Sequence, residues 1–170
     1  MSFIYLDYST GKKFDFLNPD STPLTMEQIA RGLSREFRWS NQSPLMITVA
    51  EHSLFCSYFA SIPQDHELGI LLHDASECVM RDIPAPLKAL LPDYREIEKR
   101  VQNSIWKSFG IQPPPQDLIE TVDARALDAE IWGTRPPMNY DFKPLTIDVA
   151  ERSFLNRFKD LWDRKQKKGY

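Results

Sequence analysis

Cysteine and histidine are scarce in this chain, with two and three among 170 residues. Two cysteines cannot supply a structural zinc cluster of thiolates. Cys56 and Cys78 fall within apolar helical patterns, so both are expected to be reduced core residues of a cytoplasmic protein. Long apolar runs are absent too: none approaches the roughly 18 residues needed to span a bilayer, and no membrane role is expected. The segment Met1–Tyr8 lacks the basic stretch followed by an apolar one that marks a signal peptide. An excess of basic charge is also missing. The net charge is −3 and the pI near 5.6, which excludes a protein that coats a nucleic acid polymer. Single nucleotides stay open as ligands, because they need only a few local cations. There is no internal repeat and no low-complexity segment.

What is present reads as one domain over 1–170, with a hydrophobic share of 42% and a charged share of 26%, as in ordinary globular chains. Residues 1–18 alternate in polarity around Gly11 and predict a small β-hairpin. Asn18–Pro23 is a turn cluster, and Thr25-Met-Glu-Gln28 is a capping box opening a helix through Leu33. A loop from Arg35 to Pro44 carries Arg38 and Trp39 side by side. Helices are predicted near 46–60, 66–80, 85–91, 93–109, 116–132 and 147–164, separated by prolines. A proline- and aromatic-rich connection fills 133–146, and the basic stretch Arg164–Lys168 reads as a frayed, solvated helix end. The fold class is therefore mainly α, a helical bundle with a small N-terminal β-hairpin.

Against that plain background one segment stands out: Leu68-Gly-Ile-Leu-Leu-His-Asp-Ala-Ser-Glu-Cys-Val-Met80. His73, Asp74 and Glu77 interrupt a run that otherwise reads as a buried helix. An ion left unpaired in such a place costs about 3–5 kcal/mol, and a bound cation would offset that. His52 shares a helical face with Leu45, Val49, Cys56 and Phe59, so it too points inward. On the helix near 116–132, Asp123 shares a face with Ile119, Ala126, Leu127 and Glu130, while Asp128 lies on a solvated face. His66, near a helix start, is expected to be exposed and uninvolved. Two imidazoles and two carboxylates, without thiolates, make a divalent-metal site of the catalytic rather than the structural kind. Glu77 can be either a catalytic group or an ion-pair partner. Trp39 can offer a flat face to a base or anchor its loop; Arg38 can bind phosphate or form an ordinary ion pair; Lys88 can neutralise phosphate or simply be solvated.

The ordered set Val49-Ala-Glu-His52-Ser, Leu72-His73-Asp74-Ala-Ser-Glu77, Asp82-Ile-Pro-Ala-Pro-Leu-Lys88 and Val122-Asp123 resembles the HD-domain metal-dependent phosphohydrolases. It is most similar to the small branch of bacterial 5′-deoxynucleotidases, prophage HD hydrolases and phage dATP triphosphohydrolases. The likeness covers about residues 25–132, and the N-terminal hairpin also looks like that of prophage members. It implies that His52, His73, Asp74 and Asp123 hold one divalent transition-metal ion, zinc, cobalt, manganese or iron, and it admits an additional magnesium ion. It further implies that Glu77 orients or deprotonates the attacking water and that Asp82 stands near the scissile phosphate. Lys88, Arg38 and Trp39 would contact the substrate. The activity implied is hydrolysis of a deoxynucleotide 5′-phosphoester: triphosphate release from dATP or a related dNTP, or phosphate release from a dNMP. Cyclic-nucleotide or alarmone hydrolysis ranks lower. A non-catalytic nucleotide sensor is the reading from another class. The resemblance also implies a homo-oligomer.

Overall fold

Thr48 and Glu51 cap each other and so start the helix around which the chain is built. The Thr48 N–H donates to Glu51 Oε2 at 2.8 Å, and the Glu51 N–H donates to Thr48 Oγ1 at 3.2 Å. In the computed structural model, which describes residues 2–7, 9–43, 45–59, 61–132 and 144–168, this helix is α2 (Val49–Ser57). All nine of its residues are buried, so it has no solvent face at all. The expected span of 46–60 was longer because the apolar pattern runs past both ends of the capped helix. Arg157 closes the other end: its Nη2 donates to the Ser57 carbonyl at 2.6 Å, satisfying a last-turn acceptor.

Three further helices, α3 (Glu67–Leu71), α7 (Gln116–Trp132) and α8 (Ile147–Lys168), pack on α2. The helix α8 also lies on α1 (Met26–Leu33), which opens with the predicted Thr25–Gln28 capping box. The remaining elements are α4 (Glu77–Met80), α5 (Ala85–Lys88) and α6 (Pro92–Ser108). Pro92 begins α6 rather than standing before it, because a first-turn proline forfeits no helical hydrogen bond. The hairpin pairs β1 (Phe3–Asp7) with β2 (Lys12–Asp15), Ile4 facing Phe14, and buries Phe14 in the main core. The protein is thus mainly α with a small N-terminal hairpin, eight α-helices among the described residues. None of them is long and apolar enough to cross a membrane.

Two expectations change. The basic tail is helical beyond the expected end at 164: α8 runs to Lys168, Arg164 pairs with Glu67 at 3.0 Å, and Lys165 donates to the Gly110 carbonyl, while Gln166 and Lys167 are exposed. The helix expected over 66–80 is split into α3 and α4 by turns at 72–76. Of the connection 133–146, only 144–146 fall among the described residues.

Gln102 accounts for the split. In an unbroken helix the Ser76 N–H would donate to the Leu72 carbonyl. Here Gln102 stands between them: the Ser76 N–H donates to Gln102 Oε1 at 2.9 Å, and Gln102 Nε2 donates to the Leu72 carbonyl at 2.7 Å. The inserted amide satisfies the Ser76 N–H that the break would otherwise strand and adds a donor to the Leu72 carbonyl, which also accepts from the Ala75 N–H at 3.2 Å. His73 and Asp74 lie in the turns it holds apart.

Candidate metal centre

His52 and His73 are each fixed through Nδ1, which leaves Nε2 for other work. His52 Nδ1 lies 2.7 Å from Glu130 Oε1, and His73 Nδ1 lies 2.7 Å from the Ile70 carbonyl oxygen. Acceptors at both Nδ1 atoms put a proton there and turn each Nε2 inward. The rings stand 5.3 Å apart, centroid to centroid. His52 Nε2 lies 3.1 Å from Asp123 Oδ1 and 3.5 Å from Asp74 Oδ2. His73 Nε2 lies 3.2 Å from Asp74 Oδ2 but makes no hydrogen bond among the described residues, its geometry being wrong for one. Of the sequence-predicted set, the structure brings Asp74 and Asp123 to His52 Nε2, and Asp74 to His73 Nε2 as well. Asp123 is less inward than expected, its side chain 46% exposed, because it stands at the open side of the cluster. Asp128 is exposed, as its face implied; His66 stands outside the cluster but is half-buried rather than exposed.

Spacing of this kind suits a cation. Ligand atoms about 2.0–2.1 Å from one ion stand roughly 3 Å apart. A buried imidazole nitrogen without a partner is the feature that such an ion explains. The electrostatics agree. Burial pushes the Asp74 carboxyl up, but His73 beside it, then His52 and Arg38, hold it well below the usual carboxylate range. Burial and Arg38 push the His52 ring down, yet its neighbours, Cys56 and Asp123 foremost, keep it well above an ordinary imidazole. Without a cation, the acids retain a proton on that ring; a bound cation would take the proton's place.

The expected donors have a sulfur neighbour. The site was expected to lack sulfur, but the buried Cys56 Sγ lies 3.6 Å from His52 Nε2. His52, Cys56 and His73 form a buried group that could bind a metal ion, their ligand atoms within 4.8 Å of one another.

The catalytic and substrate candidates surround this cluster. Glu77 is buried at the start of α4; burial, then the charges of Asp74 and Asp82, push its carboxyl well above the glutamate range. Its Oε2 has no hydrogen-bond partner, and its Oε1 lies 3.4 Å from Lys88 Nζ. Lys88 also donates to Glu98 Oε1 at 2.7 Å, so it is neither free nor merely solvated. Asp82 is half-buried; burial pushes its carboxyl up, while Arg38 draws it down. It follows Arg81, whose φ of +78° is a conformation that residues with a side chain rarely hold.

Arg38 and Trp39 have partners other than those the resemblance implies. Arg38 Nε donates to Glu130 Oε2 at 3.0 Å, and Trp39 Nε1 donates to the same oxygen at 2.9 Å. Trp39, Ser40 and Asn41 all have positive φ, between +49° and +61°, costing roughly 1–2 kcal/mol each. That left-handed turn carries the indole N–H to Glu130. Glu130 is therefore the hub behind His52, fully buried and holding three donors. Sequence reasoning placed it on the face of Asp123 but gave it no role. The helical period was its signal, at seven residues from Asp123.

A cleft of about 660 Å³ opens beside His73 and Asp74, with Lys88, Arg95 and Lys99 along its wall. This volume is within the span of small-molecule sites.

No family model matches this chain. It is 30% identical to an uncharacterized protein, YfdR, of Escherichia coli (strain K12), over 95% of its own length and 96% of the relative's. It is 34% identical to an uncharacterized protein, RCAP_rcc00048, of Rhodobacter capsulatus, over 71% of its own length and 69% of the relative's.

Proposed function

This chain belongs to the family of the Escherichia coli protein YfdR, and we propose that it is a metal-dependent phosphohydrolase of the HD type acting on deoxynucleotides. The favoured reaction releases triphosphate and the deoxynucleoside from a dNTP, dATP foremost, in the cytoplasm. The observation that carries this reading is that Asp74 and Asp123 both approach His52 Nε2 and Asp74 also approaches His73 Nε2, while a buried oxygen of Glu77 has no hydrogen-bond partner. A divalent transition-metal ion held by His52, His73, Asp74 and Asp123, with an additional magnesium ion admitted, would acidify a water and polarise a phosphoryl oxygen.

The chain's own residues supply the rest. Glu77, its raised pKa drawn down by a bound cation, would have in Oε2 an oxygen without a hydrogen-bond partner to accept the proton of the attacking water. Asp82 shares its field and stands ready to steer the leaving oxygen's proton. Lys88 is drawn in by Glu77 and Glu98. With Arg95 and Lys99 on the same wall, it gives a polyphosphate chain more than one cation, which supports the triphosphate version over the monophosphate one. Arg38 and Trp39 act through Glu130 to orient His52. The exposed Leu87, Leu90 and Leu91 near this wall support a homo-oligomeric form.

Purified protein supplied with Mn²⁺ or Co²⁺ and a panel of dNTPs and dNMPs tests the reading. Deoxynucleoside and triphosphate from the dNTPs, with dATP fastest, are expected. Turnover of monophosphates alone would transfer the assignment to a 5′-deoxynucleotidase. Binding without turnover across the panel would leave a nucleotide sensor.

A further inference from the structure

Cys56 lies one helical turn after His52 on α2, on the same face, and is wholly buried. Its sulfur is 3.6 Å from His52 Nε2, the nitrogen that also faces Asp74 and Asp123. Nitrogen and sulfur bound to one tetrahedral ion at their usual lengths, roughly 2.0–2.1 Å and 2.3 Å, stand about 3.5 Å apart. The observed separation, which without an ion is a sulfur–nitrogen hydrogen bond, matches the edge of such a coordination polyhedron. The other contact of the sulfur is the Val122 carbonyl at 3.9 Å, a long and weak one. A second, independent sign of a missing ion is His73 Nε2, on a side chain only 3% exposed, without a hydrogen bond.

We propose that Cys56 is itself a metal ligand. When the ion binds, the S–H bond breaks, the proton passes to solvent, and the thiolate sulfur joins His52 and His73 on the ion. A mixed nitrogen, oxygen and sulfur set discriminates among metals. Thiolate favours zinc, cobalt or iron(II) and disfavours magnesium and manganese, which prefer oxygen. The buried sulfur thus sets the identity of the resident ion. The inference rests on the metal centre proposed above, though not on the reaction assigned to it.

The test loads metal-free full-length protein with one equivalent of Co²⁺ and records its absorption. A sulfur-to-cobalt charge-transfer band in the near ultraviolet is expected in the wild-type protein and in Cys78→Ser, which leaves the cluster intact. The band should vanish in Cys56→Ser. Partners one step removed from a metal are worth roughly 10–100-fold in affinity, so losing a direct ligand should weaken Zn²⁺ binding by at least that factor. Binding of Mn²⁺ should change far less.

Bound Co²⁺ with no such band in the wild-type protein overturns the proposal, whether or not Cys56→Ser folds. That result, found together with nucleotide hydrolysis, leaves the phosphohydrolase reading standing. A band in a protein that hydrolyses no nucleotide upholds the ligand and removes the reaction. Failure to bind Co²⁺ at all overturns both.

Discussion

Glu130 does at the residue scale what no single ligand can: it fixes the tautomer of His52 while accepting from Arg38 and Trp39. Replacing it with glutamine puts an N–H against one of these donors. Glu130→Gln should therefore weaken metal binding by roughly 10–100-fold, read by competition with a chelator. Trp39→Phe separates two roles for the tryptophan. The aromatic face is retained and the N–H is lost, leaving a buried carboxylate oxygen one donor short, worth about 1–3 kcal/mol. A lower Tm with little change in KM for nucleotides is expected; a large rise in KM at unchanged Tm would instead make Trp39 a base-stacking residue.

Glu77 belongs to the same scale. Glu77→Ala should keep the metal and lose roughly 10²–10⁴-fold in turnover, the span of a positioned acid–base group; loss of metal as well would make it a ligand. Its raised pKa also has a sign for stability. The folded chain holds this proton more tightly than the unfolded one, so the contribution is full below an unfolded glutamate's pKa, about 4.3. That contribution is lost as pH rises through the folded value. Glu77→Gln removes the titration, so at neutral pH the chelator-treated variant should melt higher than the wild type. The two should converge as pH falls. The proposed ligands His52, His73 and Asp74 were legible because charge in an apolar helical pattern has few explanations. Glu130 and Cys56 were not, since a glutamate and a cysteine on inward faces are individually unremarkable and only their contacts give them a role.

Among elements, the broken helix over 67–80 shows what a local pattern cannot report. Apolar residues keep their helical spacing through the turns at 72–76, so the pattern predicts one helix. The break is made by Gln102, which comes from α6 and is remote in sequence. Gln102→Met fills the space but strands the buried Ser76 N–H and leaves the Leu72 carbonyl with the Ala75 N–H alone. The expected loss is about 1–3 kcal/mol for the stranded N–H, by chemical denaturation. Metal affinity should fall with it, because His73 and Asp74 lie between the two groups. Stability lost at unchanged metal affinity would mean that the turns hold their shape without the glutamine. Close approach supports the neighbouring element: a Cβ on Gly32 of α1 would sit 2.5 Å from the Cys78 carbonyl oxygen of α4. Gly32→Ala should push α4, and Glu77 with it, away from the cluster. By contrast, both capping boxes were written locally as Thr-x-x-Gln and Thr-x-x-Glu, and a local signal suffices to start a helix.

Over the whole molecule, the buried α2 carries His52 and Cys56 into a place that the turns before α4, and then α7, reach from other sides. The mainly helical architecture and its hairpin followed from periodicity and turn chemistry. The cleft did not, because it arises where α6 passes the turns at 72–76, a meeting of distant segments. The central claim is that this meeting point is a one-metal hydrolytic centre. The most direct measurement titrates Co²⁺ into metal-free protein and follows release of deoxyadenosine and triphosphate from dATP. The account predicts no hydrolysis without metal, a rise that stops at about one ion per chain, and loss of both occupancy and activity in His73→Ala. Hydrolysis undiminished in metal-free protein, or a fully occupied site that cleaves no nucleotide, would contradict it.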